Sequence, residues 1–535
     1  MRNQPTARRA HTGGTPLLRT VVLRALLPLL LLAAAAPALA AGRTVGGIHI
    51  RTDRSIDFFS RETILAGIIE PGMTNEEKAI ACYELVRTHI YHFPRPDESD
   101  PKRVLNVYGY ALCGTIQRTL VWLAQGVFGP DGAQGAGMRS RPIENPETFR
   151  IAAGGWLNDS MYRLDGARPP ARMGHTWCQL YYDGRYHYLD AHAGFFVYTA
   201  DGKHIASIAE ISGDPTLVTD PVRTSDPFMP CDRGRPEFFY RATGGNRGPG
   251  VQETQHSMAL RVRPGETLIF HFDKLSGRHF KRSRSWRNQW APDYYEEGPH
   301  LRSQGPEVKS YRHYGNGEII FEPDLTRQGF RESLVQSENL ADDGLPGLRP
   351  KAPGQPAYAL FAFETPYVMV AGSVDATFAA AGAGQAAPRV TFIPPDRRAR
   401  PQTIEAGADG VASGTLNMDD ARYPFSGQVR IDLPAGSSLT RLRIHFVTQL
   451  NFHTLPRPLP GQNTVFFNST EGDPAHAKLQ IEWVWTEAGG REGHDTRPAA
   501  GNEFEYQLTL GEVDTTPADN PKYMRWLKLS IPDDR

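Results

Sequence analysis

The chain has 535 residues, in which 59 lysines and arginines balance 59 aspartates and glutamates, and 40% of the residues are hydrophobic. This balance gives no indication of a nucleic-acid partner, which would call for a basic surface. Four cysteines are too few for a fold held together by disulfides. The length and the apolar content are instead typical of a globular protein with several sizeable cores.

The first forty residues have the pattern of a secretory signal. Five arginines precede the apolar run 25–36, and Ala38-Leu39-Ala40 supplies a small-residue cleavage site. The apolar run is too short for a comfortable membrane span. We therefore expect a protein exported to the periplasm, the cell surface or the medium, with a mature chain that starts near Ala41 and contains no membrane span.

A capping box predicts a helix that begins after Thr74. The hydroxyl of Thr74 can accept from the backbone of Glu77, whose carboxylate can accept in return. Apolar residues recur at helical spacing as far as Ile90, and Pro94 ends the pattern. His89 lies in the last turn, where a charged imidazole would interact favourably with the helix dipole.

Cys113 lies at the start of a second predicted helix. The apolar residues around it have helical spacing: Leu112, Ile116, Leu120 and Leu123. Unpaired backbone N–H groups and the positive end of the dipole at a helix start favour a thiolate, the form of cysteine that attacks carbonyl carbon. Gly126 is predicted to end the helix. The pattern alone leaves open a small buried thiol without a catalytic role.

Two strand-like runs flank Asp183-Gly184 and predict a hairpin with a two-residue turn. In that register Trp177 lies opposite Asp190. His175 and Asp190 are then diagonal neighbours on one face, within reach of a hydrogen bond between imidazole and carboxylate. A cysteine, a base and a carboxylate that orients the base are the components of nucleophilic acyl transfer.

These three motifs together resemble a known family. A Cys-Gly helix start at Cys113, a His-x-Trp strand at His175 and the aspartate Asp190 after a glycine turn are similar to the transglutaminase-like superfamily, of the bacterial exported multidomain type. The resemblance covers roughly residues 55–225. It implies a papain-like cysteine fold with Cys113 as nucleophile, His175 as base and Asp190 as the third member of a triad.

Three aromatic residues are candidates for contacts with the oxyanion or the substrate: Tyr108, Tyr110 and Trp177. The backbone N–H of Cys113 is the natural first donor to a developing oxyanion. Tyr108, Tyr110 or the neighbouring Asn106 could supply the second donor. Simple packing of the two tyrosines fits the sequence equally well.

The loop-rich stretch 129–172 separates the cysteine helix from the hairpin. Its aromatic residues, Trp156 and Tyr162 among them, are expected to fold back on the domain and could cover the cleft. If Cys113 is a free nucleophile, at most one disulfide can form among the other three cysteines. The sequence does not select a pair, and three reduced thiols fit equally well.

The chain beyond residue 236 is predicted to be rich in strands. Strand patterns occur at 257–262, 267–272, 318–321, 357–363, 367–378, 428–433, 441–450, 464–467, 478–485, 503–510 and 524–529. We therefore expect an α+β transglutaminase-like (papain-like) domain followed by all-β domains, the last a β-sandwich. The predicted units are a signal peptide (1–40), the transglutaminase-like domain (41–235), a β-rich middle domain (236–350) and the sandwich (351–535).

The first functional hypothesis is an exported cysteine-dependent acyl-transfer enzyme that acts on peptide or side-chain amides through a thioester, with hydrolysis favoured over crosslinking. Its partner would be a protein or peptide substrate, and no cofactor or metal is expected. The alternative is a catalytically silent surface scaffold whose β domains bind a glycan or a protein.

Overall fold

The computed structural model describes 43–92, 98, 100–111, 113–128, 139–141, 150–151, 175–176, 178–191, 196–214, 216–225, 255–275, 278–280, 314–327, 329–342, 347–352, 354–379, 386–514 and 523–533. All of these residues belong to one compact unit, Gly42–Arg535.

The described helices are α1 (Arg61–Ile68), α2 (Asn75–His89), α3 (Pro101–Arg103), α4 (Cys113–Phe128), α5 (Ile208–Gly213), α6 (Thr216–Thr219) and α7 (Pro474–Ala477). A π-helix spans Val104–Tyr108, and 3-10 helices span Gly329–Ser333, Phe452–Thr454 and Ala488–Gly490. None of the helices in the described part is long and apolar enough to cross a membrane.

The described strands are β1 (Val45–Thr52), β2 (Tyr91–His92), β3 (Tyr110–Ala111), β4 (Arg139–Arg141), β5 (Arg150–Ile151), β6 (His175–Thr176), β7 (Cys178–Tyr182), β8 (Arg185–Leu189), β9 (Leu260–Val262), β10 (Glu266–His271), β11 (Gly315–Phe321), β12 (Leu334–Glu338), β13 (Ala357–Glu364), β14 (Val368–Ala379), β15 (Arg389–Ile393), β16 (Gln402–Glu405), β17 (Val411–Leu416), β18 (Ser426–Leu433), β19 (Ser438–Leu450), β20 (Gly461–Asn468), β21 (Gln480–Thr486), β22 (Glu492–Pro498), β23 (Glu503–Leu510) and β24 (Met524–Ser530).

The predicted fold class is wrong. Strands hold 42% of the described residues and helices only 20%, and no α+β papain-like domain is evident. Most strands form antiparallel sheets of four, five and eight members, and these sheets combine segments that lie far apart in the chain. The sequence patterns located many of the strands, but a strand's own pattern does not specify its partner, so these patterns did not predict the fold class correctly.

The two larger sheets pack face to face around an aromatic core. The eight-stranded sheet has the order β17-β14-β19-β11-β10-β24-β21-β22, and the five-stranded sheet has the order β12-β13-β18-β15-β16. Phe321 of the first sheet lies 5.3 Å from Phe361 of the second, measured between ring centroids, and Phe446 lies 5.1 Å from Phe363. The rings of the first pair are tilted and those of the second meet edge to face, and such pairs contribute about 0.5–1.5 kcal/mol each beyond the burial of their area.

The smaller four-stranded sheet joins the first described strand to strands from the middle and the late part of the chain. Its order is β23-β20-β1-β9, and β1 pairs antiparallel with β20 on one side and with β9 on the other. His49 lies opposite Asn468, and Val45 lies opposite Val262. This sheet therefore contains strands from all three of the domains predicted after residue 40.

The helical part shows one confirmed prediction and two corrections. The capping box at Thr74 and Glu77 is present, with reciprocal bonds of 3.2 and 2.7 Å. Gly126 does not end α4, because the helix continues to Phe128. Gly126 packs against α1, and a Cβ added at this position would lie 2.6 Å from Cδ1 of Leu65. His89 is not the charged residue expected, because burial lowers its pKa to about 4.

Glu318 bridges two histidines on the outer face of the eight-stranded sheet. Its carboxylate lies 2.7 Å from Nε2 of His271 and 2.8 Å from Nε2 of His445, which belong to the strands on either side. The hydrogen bonds from His271 and His445 lower the pKa of Glu318 to about 2. Because the folded-state pKa lies below the unfolded one, this contribution to stability is complete above about pH 4.5 and is lost as the pH falls towards 2.

We predict that Glu318→Gln lowers the free energy of unfolding at pH 7 by on the order of 1 to 2 kcal/mol, because the variant loses the ionised acceptor between the two imidazoles and solvent screens part of this interaction. The difference from wild type should shrink between pH 4.5 and pH 2. Urea unfolding of both proteins across this range measures it. A difference that is the same at pH 7 and at pH 2.5 would refute the assignment.

Arg43 forms a buried ion pair that ties the start of β1 to the last described residues. Its side chain is 1% exposed, its Nη2 lies 3.1 Å from Oδ1 of Asp533, and its Nη1 donates to the carbonyl of Pro532 at 3.2 Å. The other Asp533 oxygen accepts from the backbone of Asp324 at 2.7 Å. A buried carboxylate so placed depends on its cation.

Arg43→Met should lower the free energy of unfolding by about 3–5 kcal/mol, because the Asp533 carboxylate stays buried without its cation. The matched control is Arg398→Met, which removes a 75% exposed side chain paired with Asp396 at 3.1 Å and should have a much smaller effect, because solvent screens an exposed pair. Urea unfolding at pH 7 compares the two variants. Equal losses would show that the Arg43 pair is not structural.

Candidate functional site

Helix α4 places Cys113 at its first residue. The preceding π-helix ends at Gly109, whose φ of 68° lies in the left-handed region that glycine tolerates, and the short strand β3 then leads into α4. Ile116, Leu120 and Leu123 are fully buried, as the spacing predicted. The helix start is therefore fixed by packing of its apolar face, whereas the Cys113 side chain lies outside the described part of the structure.

The predicted hairpin is present in the predicted register. Strands β7 and β8 pair so that Cys178 lies opposite Leu189 and Tyr182 lies opposite Arg185. Asp183 and Gly184 have φ values of 49° and 80°, as a type I′ turn requires. The hairpin therefore carries the chain back to residue 190 at the end of β8, close to α4.

Asp190 forms a hydrogen-bonded network with α4. Its side chain is 1% exposed; Gln117 Nε2 donates to Oδ1 at 2.8 Å, and the Tyr188 hydroxyl donates to Oδ2 at 3.0 Å. Both carboxylate oxygens thus accept from neutral donors, which compensates part of the cost of burying a carboxylate. The network joins the end of β8 to the helix that starts at Cys113.

The structure gives the backbone of His175 but not its side chain. His175 lies in β6 opposite Ile151 of β5, and Cα atoms of β6 and α4 approach within 8 Å. Trp177 lies outside the described residues, as do Trp156 and Tyr162 of the expected cover. The described part thus brings Asp190 to α4 and places the His175 backbone near the same helix. The predicted Cys113-His175-Asp190 geometry remains a prediction.

The tyrosines named as oxyanion candidates pack in the core. Tyr108 and Tyr110 are 4% and 2% exposed, with ring centroids 5.8 Å apart. Burial raises the pKa of Tyr108 well above its usual value. The Asn106 amide donates to the carbonyls of Phe58 and Lys102. These contacts account for the burial of the three side chains through packing and backbone hydrogen bonds.

Gln117 is not among the residues that the sequence patterns predict for the site. It follows Cys113 by four residues and so lies on the same side of α4, a spacing that could have drawn attention to it. A polar residue within an apolar helical stripe was the available signal. Its partner Asp190 is 73 positions away, so the contact itself could not be read from local spacing.

Within the described ranges, no three histidine, cysteine, aspartate or glutamate side chains are arranged to hold a metal ion. The two described cysteines, Cys82 and Cys178, are free and buried. Burial raises the pKa of Cys82 to about 12 and that of Cys178 well above its usual value. Neither side chain has the environment of a reactive thiolate.

No family model matches the chain, and no curated protein sequence matches it. Among solved structures it is similar to an FMN-binding beta-glucuronidase from Facaelibacterium prausnitzii L2-6, with 10% sequence identity and a TM-score of 0.13. The match covers 40% of this chain and 37% of that chain. A likeness at this level supports no statement about fold or activity.

We predict that iodoacetamide at pH 7 leaves Cys82 and Cys178 unmodified in the folded protein, because burial both shields the sulfur atoms and keeps the thiols protonated. Both should react after unfolding in urea. Peptide mass spectrometry measures the modification. Rapid labelling of either cysteine under native conditions would contradict the buried positions.

Proposed function

We propose that the protein is an exported cysteine-dependent enzyme that transfers acyl groups from peptide or side-chain amides through a thioester on Cys113. The proposal concerns this chemistry and not a papain-like fold. The observation that supports it most is the buried Asp190 carboxylate, hydrogen-bonded to the helix that begins at Cys113. His175 is the proposed base between them.

A purely structural role explains the buried carboxylate less well. Moving a charged group out of water is costly, and an apolar residue of similar size would often serve packing as well or better. A functional role for the negative charge would explain why an aspartate occupies this buried position. The use we propose is to orient the His175 imidazole and to stabilise its charged form.

The first half of the proposed reaction makes the thioester. The Cys113 thiolate attacks the amide carbonyl carbon, and the carbonyl oxygen becomes an oxyanion that the backbone N–H of Cys113 is placed to stabilise at the helix start. The carbon–nitrogen bond then breaks. The His175 imidazolium gives its proton to the departing amine, which leaves a neutral imidazole beside the thioester.

The second half transfers the acyl group. His175 takes a proton from the incoming water as its oxygen attacks the thioester, and the carbon–sulfur bond breaks to give a carboxylic acid and the Cys113 thiolate. An amine in place of water would give a new amide. We propose hydrolysis as the main outcome, because water needs no acceptor-binding site, and the proposed chemistry requires no cofactor or metal.

The test is the rate of Cys113 alkylation against pH in a Cys231→Ser background, where Cys113 is the one thiol outside the buried pair. Cys113 should titrate well below the ~8.5 of a free thiol, because the helix start and the His175 cation favour the thiolate. Cys113→Ala should abolish labelling. His175→Gln should slow labelling at pH 7 by about tenfold or more, since one pKa unit is a tenfold change in the thiolate fraction.

Two outcomes would contradict the proposal. One is a Cys113 that titrates as a free thiol and is unaffected by His175→Gln. The other is normal thiolate reactivity with no acyl-enzyme, detected as a mass increase on Cys113, for any member of a peptide library. Either result would favour the second candidate, a scaffold whose β-sheets bind a glycan or protein; the predominance of strands in the described chain is consistent with this alternative.

A further inference from the structure

We propose that Gln117 is a positioning residue of this site, and that its amide fixes the plane of the Asp190 carboxylate relative to the helix that carries Cys113. This inference rests on the proposed function. Gln117 is 2% exposed, and its Nε2 lies 2.8 Å from Oδ1 of Asp190. The carboxylate can only accept in its ionised form, so the amide nitrogen must face it, and this fixes the orientation of the Gln117 side chain.

The position of Gln117 on α4 gives this contact its effect. Cys113 and Gln117 are four residues apart, one turn of the same helix, so their backbones form a rigid unit. Tyr188 holds the second carboxylate oxygen from β8 at 3.0 Å. The Asp190 carboxylate thus accepts one hydrogen bond from the helix and one from the hairpin. A shift of α4 relative to the hairpin would therefore rotate the carboxylate or break one of these bonds.

A second observation separates Gln117 from a structural amide. Its Oε1 is buried and has no hydrogen-bond partner within the described part of the chain. Buried amides that only hold a fold together normally use both the oxygen and the nitrogen. The hydrogen bond from Nε2 to Asp190 is therefore the one side-chain hydrogen bond that Gln117 makes within the described part of the chain.

The ionisable groups around Asp190 do not obscure a pH measurement near neutrality. The described residues on which its charge acts are Tyr83 of α2 and Cys178 of β7, and Tyr188 of β8 donates to it. Burial is the main cause that raises the pKa of both Tyr83 and Cys178, and both stay protonated at pH 7. A change in the Cys113 profile therefore does not come from their titration.

The experiment is a double-mutant cycle in the Cys231→Ser background, read as the rate of Cys113 alkylation from pH 5 to 10. Gln117→Met keeps the side-chain length and removes the donor. It should slow alkylation at pH 7 by between about threefold and tenfold and move the profile to higher pH, since a hydrogen bond to a charged group is lost. Asp190→Asn should act in the same direction and more strongly.

The double variant should behave as Asp190→Asn alone, because Gln117 acts through the carboxylate and residues in one network are not additive. The matched control is Thr119→Val. Thr119 is equally buried on α4, and its hydroxyl donates to the carbonyl of Thr115 without contacting Asp190. This control should leave the pH profile unchanged. Circular dichroism shows whether Gln117→Met folds. If it does not, Gln117→Asn replaces it in the same test. Its amide is one methylene shorter, so a smaller effect is expected.

The outcomes separate the two proposals. If Asp190→Asn moves the profile and the Gln117 variants do not, Gln117 is structural and the proposed function stands. If the effects of the Gln117 and Asp190 variants add fully, Gln117 acts independently of the carboxylate and the positioning role is overturned. If wild-type Cys113 reacts as a free thiol and no variant changes it, the proposed function and this inference both fail.

Discussion

Two buried amides at the end of β19 hold the segment that leads into α4. The Asn451 side chain donates to the carbonyl of Leu105 at 2.8 Å and to that of His89 at 3.3 Å, and its backbone N–H donates to Asn106. Gln449 donates to the carbonyl of Val107. The π-helix and the end of α2 leave carbonyls that must be paired once buried, and these amides pair them. The position of Cys113 thus depends on a strand more than 300 residues away.

The same dependence on distant segments explains why the described helices belong to one compact unit with the sheets. Strand β1 pairs with β9 and β20. The ion pair between Arg43 and Asp533 links the residues just before β1 to the last described residues. Such pairings form only after long loops have closed, and each strand presents the same backbone groups to any partner. Outside the β7–β8 hairpin, the patterns that identified the strands therefore contained no information on how the sheets were assembled.

The Asp190 network also depends partly on local sequence and partly on the packing of distant segments. The Asp183-Gly184 turn fixes the hairpin register locally, because both positions need positive φ, and this register delivers residue 190 to the end of β8. The packing of α4 against the hairpin then decides which donor from the helix reaches the Asp190 carboxylate. Gln117 and Tyr188 satisfy its two oxygens from different elements, so Asp190 links the helix and the hairpin.

By itself, the sequence determined the features that depend on neighbouring residues. These are the capping box of α2, the start of α4 at Cys113, the hairpin register and many of the later strands. Each follows from backbone hydrogen bonding and from the period of the apolar residues, which act over a few positions. The tertiary structure alone decided the sheet order, the neutral state of His89 and the pairing of Gln117 with Asp190. Burial, desolvation and hydrogen bonding between distant segments arise only when the chain has packed, and no local pattern specifies them.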